Sequence, residues 1–148
     1  MASRIAPRAR GPKAWPRCVA ALSLLGLWAG TASAQARPYN VIMKDVGATV
    51  GAIRKNLDAG TIAPVAADAE KVQRLFQEVE AFWAPFKTKD ALDAARGARE
   101  TAVVIATAAK ANDRTKATEG AAGLGRYCAA CHDSHRELAP DKSYRIRP

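Results

Sequence analysis

Three absences narrow the reading of this 148-residue chain. No stretch alternates apolar and polar residues for long enough to form a strand, which argues against a sheet and against the βαβ units that carry most nucleotide sites. No run is apolar enough to cross a bilayer. The one pronounced run, Cys18 to Ala29, is twelve residues long, where roughly 20 are needed. Thiols and imidazoles are scarce as well. Beyond residue 34 only Cys128, Cys131, His132 and His135 remain, all within eight consecutive positions. No nucleophile–base pair, acid pair or metal triad is visible, so nothing marks the chain as an enzyme.

The N-terminal segment reads as a cleavable leader. Arg4, Arg8, Arg10, Lys13 and Arg17 occur with no acid among them, the apolar run follows, and Ala32-Ser33-Ala34 forms a small-residue cleavage site. The expected domains are a signal peptide at residues 1–34 and one working domain at 35–148, exported to the periplasm. Cys18 opens the apolar run instead of ending it, which argues against a lipoprotein. Five of the 23 Lys and Arg leave with the leader and none of the 14 acids do. The remaining balance is 18 against 14, or +4, so the +9 of the whole chain is no nucleic-acid signal. The mature chain, 114 residues from Gln35, is large enough to bury roughly 65% of its unfolded surface.

Four helical segments follow. In the first, about Tyr39 to Asp58, Met43, Val46, Val50, Ile53 and Leu57 step by three and four, one apolar stripe of a bundle helix. Gly60 suits its end. The second starts near Pro64 and carries Val65, Ala69, Val72, Phe76, Val79 and Trp83 at the same spacing, with Pro85 closing it. The third, about Asp90 to Ala111, is built from alanine with Leu92, Val103, Val104 and Ile105, a thin helix that neighbours can approach closely. Asn112 or Asp113 caps the fourth, in which Ala117, Ala121, Leu124, Cys128, Cys131 and His135 share a stripe. That helix is expected to run past Leu138 to Pro140, with a short basic tail beyond. The expected fold class is all-α, an antiparallel up-down-up-down four-helix bundle.

Two groups of glycines interrupt this pattern. Gly120, Gly123 and Gly125 read G-x-x-G-x-G with no preceding strand, which is not the dinucleotide order. Gly47 and Gly51 follow Met43 on one helix face, and each costs a helix about 1 kcal/mol relative to alanine. Either they clear space for the edge of a flat ring, or they let two helices pack closely, within or between subunits.

The chemistry concentrates in Cys128-Ala129-Ala130-Cys131-His132. On a helix, positions i, i+3 and i+4 share a face, so two sulfurs and an imidazole point the same way. This C-x-x-C-H spacing marks covalent haem attachment. A zinc site made of Cys128, Cys131, His132 and His135 would need a loop between its ligand pairs. A thioredoxin-like pair would need a strand before it, and a plain disulfide leaves His132 without a role. Two free thiols so spaced would oxidise after export unless already used, and thioether bonds would use them.

A four-helix chain with C-x-x-C-H near its C-terminus resembles the cytochrome c-prime family, the class II c-type cytochromes. The match rests on Tyr127 to Arg136, where Arg follows the motif histidine by four, and on Ile42-Met43-Lys44-Asp45-Val46-Gly47, which is similar to the low-spin cytochrome c-556 branch. The resemblance implies a bundle around one covalently attached haem c. Cys128 and Cys131 would form the thioethers, His132 would be the proximal iron ligand, Met43 the distal ligand, and Arg136 would lie near the proximal side. Met43 is the only methionine left after the leader and lies on the inward stripe. His135 stands where the family often has an aromatic residue and reads as a partly exposed helix residue. The linker near Phe86 to Thr88 lacks the family's tryptophan-bearing segment, a space Trp83 can take. The implied function is periplasmic electron transfer, the iron cycling Fe(III)/Fe(II) with His/Met ligation. The alternative is a five-coordinate cytochrome c-prime that binds nitric oxide or carbon monoxide. Expected partners are redox proteins, with no nucleic acid and no membrane span, and a monomer or a homodimer.

Overall fold

The periodicities just described become four helices in the computed structural model, which describes residues 36–147; the expected leader and its cleavage site lie outside them. They are α1 (Tyr39–Asp58), α2 (Val65–Trp83), α3 (Lys89–Lys110) and α4 (Arg114–His135). On α1, Val46, Val50, Ile53 and Leu57 are buried together with Ile42, while Met43 is half-buried at the edge of the core. Every residue of the α2 stripe is buried, and Trp83 at its end is 1% exposed.

The turns follow from local chemistry. Gly60 takes φ +74° after α1, a left-handed conformation that costs glycine little. Arg114 Nε and Nη2 donate to the Leu57 carbonyl at 3.1 and 2.7 Å, adding to the bond it accepts from Gly60 N at the helix end. A 3-10 turn at Ala84–Phe86 follows α2 directly and contains Pro85. Both residues offered as caps between α3 and α4 are used, in different ways. Asn112 adopts φ +56° just beyond the end of α3, and the Asp113 side chain accepts from Lys116 N at 2.9 Å to cap α4.

Each helix packs on the next, and α1 also meets α4. The core face of α3 is almost wholly alanine, with Ala91, Ala95, Ala98, Ala102, Ala106 and Ala109 buried beside Ile105. Close approach follows. A methyl group added at Gly97 would come within 2.3 Å of the Tyr127 ring, and one at Gly120 within 2.7 Å of Ile105. Val103 and Val104 do not join this face; they are 40% and 44% exposed.

Three expectations need correction. α4 stops at His135 and does not continue past Leu138. The tail is not simply a basic extension, because β1 (Arg136–Leu138) pairs antiparallel with β2 (Tyr144–Ile146). Pro140, expected to close the helix, sits in the hairpin turn: Lys142 N donates to Ala139 O, Lys142 adopts φ +63°, and Asp141 accepts from Ser143 N. A Pro-Asp turn followed by a left-handed residue is a recognised hairpin connection. His135, the third correction, is buried at 9% exposure instead of partly exposed. The described chain is therefore mostly helical, with one short hairpin, and no described helix is long and apolar enough to cross a membrane.

Candidate functional site

The helices and the hairpin line an open-sided cavity of about 630 Å³, within the size range of small-molecule and cofactor sites. Met43 and His132 line it, as do Cys128, Cys131 and Arg136. All five candidate site residues are thus brought to one cavity, from α1, α4 and the first residue of the hairpin. Helical spacing explains the grouping. Met43, Gly47, Val50, Gly51 and Arg54 rise along one face of α1, while Cys128, Cys131, His132 and His135 rise along one face of α4.

Much of the wall is apolar, with Val46, Val50, Phe76, Val79 and Trp83 on α1 and α2, and Ala94 and Ala95 on α3. Gly47 and Gly51 line the same cavity, and a methyl group built on either meets nothing within 4 Å. Close packing of helices within the chain therefore does not explain them; they open space. The contrast with Gly97 and Gly120, each pressed against a side chain of the neighbouring helix, is plain.

Both thiols are half-buried and unbonded to each other. Burial raises the pKa of Cys128 and of Cys131 above the ordinary thiol value. A thiol-exchange pair needs the opposite shift, since the thiolate is the nucleophile. The zinc reading also loses its geometry. No cluster of three or more His, Cys, Asp or Glu among the described residues is arranged to hold an ion, and His135 is engaged elsewhere. His132 stands at the cavity edge with its ring exposed, yet partial desolvation and then Arg136 hold its imidazole below the ordinary value. Both causes favour the neutral form, the form in which imidazole ligates iron.

Two aromatic residues of the wall, Tyr39 and Trp83, belong to a larger group of packed rings. Tyr39 stacks on Phe82 at 4.0 Å, and Trp83 lies edge-on to both. Trp83 Nε1 donates to Tyr39 Oη at 3.0 Å, and burial pushes the tyrosine pKa up to about 12. His135 joins the group with its ring 4.9 Å from Trp83, so an imidazole stands where the sequence resemblance expects an aromatic side chain. Its Nδ1 lies 2.8 Å from Arg147 O and its Nε2 3.0 Å from Asp90 Oδ2. Arg147 in turn donates from Nε and Nη2 to Ser134 O, which fastens the end of the hairpin to α4. Arg136 lies over the Tyr144 ring at 3.3 Å, a cation–π contact.

Sequence reasoning missed Tyr39, Lys44, Arg54, Tyr144, Arg145 and Ile146 as wall residues. Arg54 could have been found, since it continues the three-and-four spacing from Met43 through Gly47 and Gly51. The hairpin residues could not, because no helical or strand period reaches them. Comparison of the chain with family models, with curated protein sequences and with solved structures finds no match.

Proposed function

We propose that this chain is an exported class II c-type cytochrome that carries electrons in the periplasm, with one haem c in the cavity between α1 and α4. The single observation that carries the reading is the convergence of Cys128, Cys131, His132 and Met43 on one cavity of about 630 Å³. The donor set fits the group: two thiols one helical turn apart for covalent attachment, an imidazole beside them, and a thioether on another helix. The walls fit as well, apolar through most of their extent and left open at Gly47 and Gly51. Connections at 59–64, 84–88 and 111–113 are short, and consecutive helices pack together, which supports an up-down-up-down arrangement.

When bound, the haem would supply a one-electron Fe(III)/Fe(II) couple, and a methionine donor such as Met43 would raise its potential. The chain's own residues do the rest. Cys128 and Cys131 would tether the group, and His132 and Met43 would present neutral nitrogen and sulfur donors. Trp83, Phe76 and Val79 exclude water from the ring. With His132 and Met43 both held as donors, the chain would reserve no position for substrate and would act as a carrier and not as an enzyme. Redox proteins are its partners, as a monomer or a homodimer.

The test is to express the full chain in a host that matures c-type cytochromes and to record reduced-minus-oxidised spectra of the exported protein. The expected product begins at or near Gln35, carries one haem that resists acid–acetone extraction, and gives a low-spin reduced spectrum. Intact mass without haem would overturn the proposal. A high-spin spectrum would replace the carrier by the gas-binding alternative.

A further inference from the structure

The charged residues that line the cavity are all of one sign. Lys44 and Arg54 on α1 and Arg136 and Arg145 on the hairpin contribute to its wall, and no Asp or Glu does. Elsewhere five cations are neutralised, Arg37 by Asp45 and Glu78, Arg99 by Glu80, Lys110 by Glu70, and Lys89 and Arg96 by Asp93, while others, Lys116 among them, stand singly. What sets the cavity apart is that four cations share one wall with no acid in it. None of the four wall cations takes part in an ion pair among the described residues.

Three of the nearby acids are engaged with other groups, and Asp133, beside His132, forms no ion pair with these cations. Asp45 adjoins Lys44 in sequence but binds Arg37. Asp90 is taken by His135, and Asp141 by Ser143. Glu137 faces Arg145 across the ladder without forming an ion pair. The two propionates of a haem would offset at most two of the four positive charges, so a positive excess remains.

We propose that the mouth of this cavity, formed by Lys44, Arg54, Arg136 and Arg145, is the docking surface for an acidic redox partner protein. The proposal rests on the electron-carrier reading above and names the partner's chemistry. A cluster of one sign at the point of electron exchange steers oppositely charged partners and raises association rates, more strongly at low salt. Exposed Tyr144 and Ile146, in the same wall as the cations, give such an interface an apolar contact.

The experiment uses the ferric holoprotein in stopped flow, reduced by the anionic iron(II)–EDTA complex and separately by cationic hexaammineruthenium(II), across a range of ionic strength. The rate with the anionic reagent should fall about tenfold between low and high salt, and the rate with the cationic reagent should rise. Lys44→Glu with Arg145→Glu should remove most of the anionic reagent's low-salt advantage. Lys44→Glu alone should remove part of it, independently of the hairpin. Lys116→Glu, the same charge change near the start of α4, should leave it within about twofold. Polyglutamate should slow reduction of the native protein and not of the double variant.

Rates indifferent to salt, or a Lys116→Glu effect matching that of Lys44→Glu, would overturn the docking proposal while leaving a normal haem spectrum. Binding of the native protein to phosphatidylglycerol vesicles with no polyglutamate effect would overturn it in favour of a lipid surface. Failure of the carrier reading looks different, because no haem band would be present to follow.

Discussion

The Nε2 of His135 lies 3.0 Å from Oδ2 of Asp90, joining the last residue of α4 to the first turn of α3. The hydrogen bond from His135 is the main reason that the Asp90 carboxyl is held below the ordinary carboxylate range. A carboxyl depressed in the folded state stabilises it above the unfolded-state pKa, about 3.9, and that contribution is lost as pH falls through the folded value. Asp90→Asn should therefore give a holoprotein whose urea midpoint falls less steeply below about pH 4. Identical acid slopes in the two proteins would show that the pair contributes nothing to pH-dependent stability.

Met43 separates carrier from gas binder. Ligation through its sulfur predicts a weak near-infrared band in the ferric protein and slow or poor carbon monoxide binding. Met43→Ala should be high-spin, bind carbon monoxide readily and show a lower potential. Because Met43 is only half-buried, the loss of chain stability should be at most about 2 kcal/mol, the lower end for buried Met→Ala changes. An unchanged visible spectrum in the variant would mean that sulfur never reached the iron.

Gly47 and Gly51 allow the cavity to be tested apart from the fold. Leu at position 47 meets no protein atom near its Cβ and removes a helix penalty of about 1 kcal/mol. Helix content by circular dichroism should be retained, while the yield of covalent haem should drop several-fold. Full haem incorporation in Gly47→Leu would show that the opening serves some purpose other than the ring.

Trp83 reports on occupancy. It is buried, lines the cavity and is the only tryptophan beyond the leader. A haem beside it should quench its emission almost completely, and the emission should reappear on unfolding in denaturant. Bright emission from the folded holoprotein would put the haem elsewhere.

The helices were readable because their burial is periodic. Val65 to Trp83 on α2 and Val46 to Leu57 on α1 keep their spacing and are buried as that spacing requires. Cys128, Cys131 and His132 were readable for the same reason, since i, i+3 and i+4 leave no freedom about which face they share. The end of α4 was not. Arg136, Glu137 and Leu138 are acceptable helix residues, and no glycine or proline precedes Ala139; pairing with Tyr144–Ile146 overrides that preference. Strands of three residues are too short to display a period. His135 was misjudged because its partners, Asp90 and the Arg147 carbonyl, are distant in sequence. Val103 and Val104 were included in the apolar content of α3, yet its packed face consists of smaller residues.

That alanine face has a geometric result. Ala98 and Ala102 are fully buried and do not line the cavity, but α3 packs against both α2 and α4. The separation between packed helices follows the size of the side chains at their contact. Small side chains along most of that face make α3 a gauge block: it sets the distance between the helix carrying Trp83 and the helix carrying the two cysteines. The width of the cavity is thus controlled in part from behind, by Ala98 and Ala102, which do not line it.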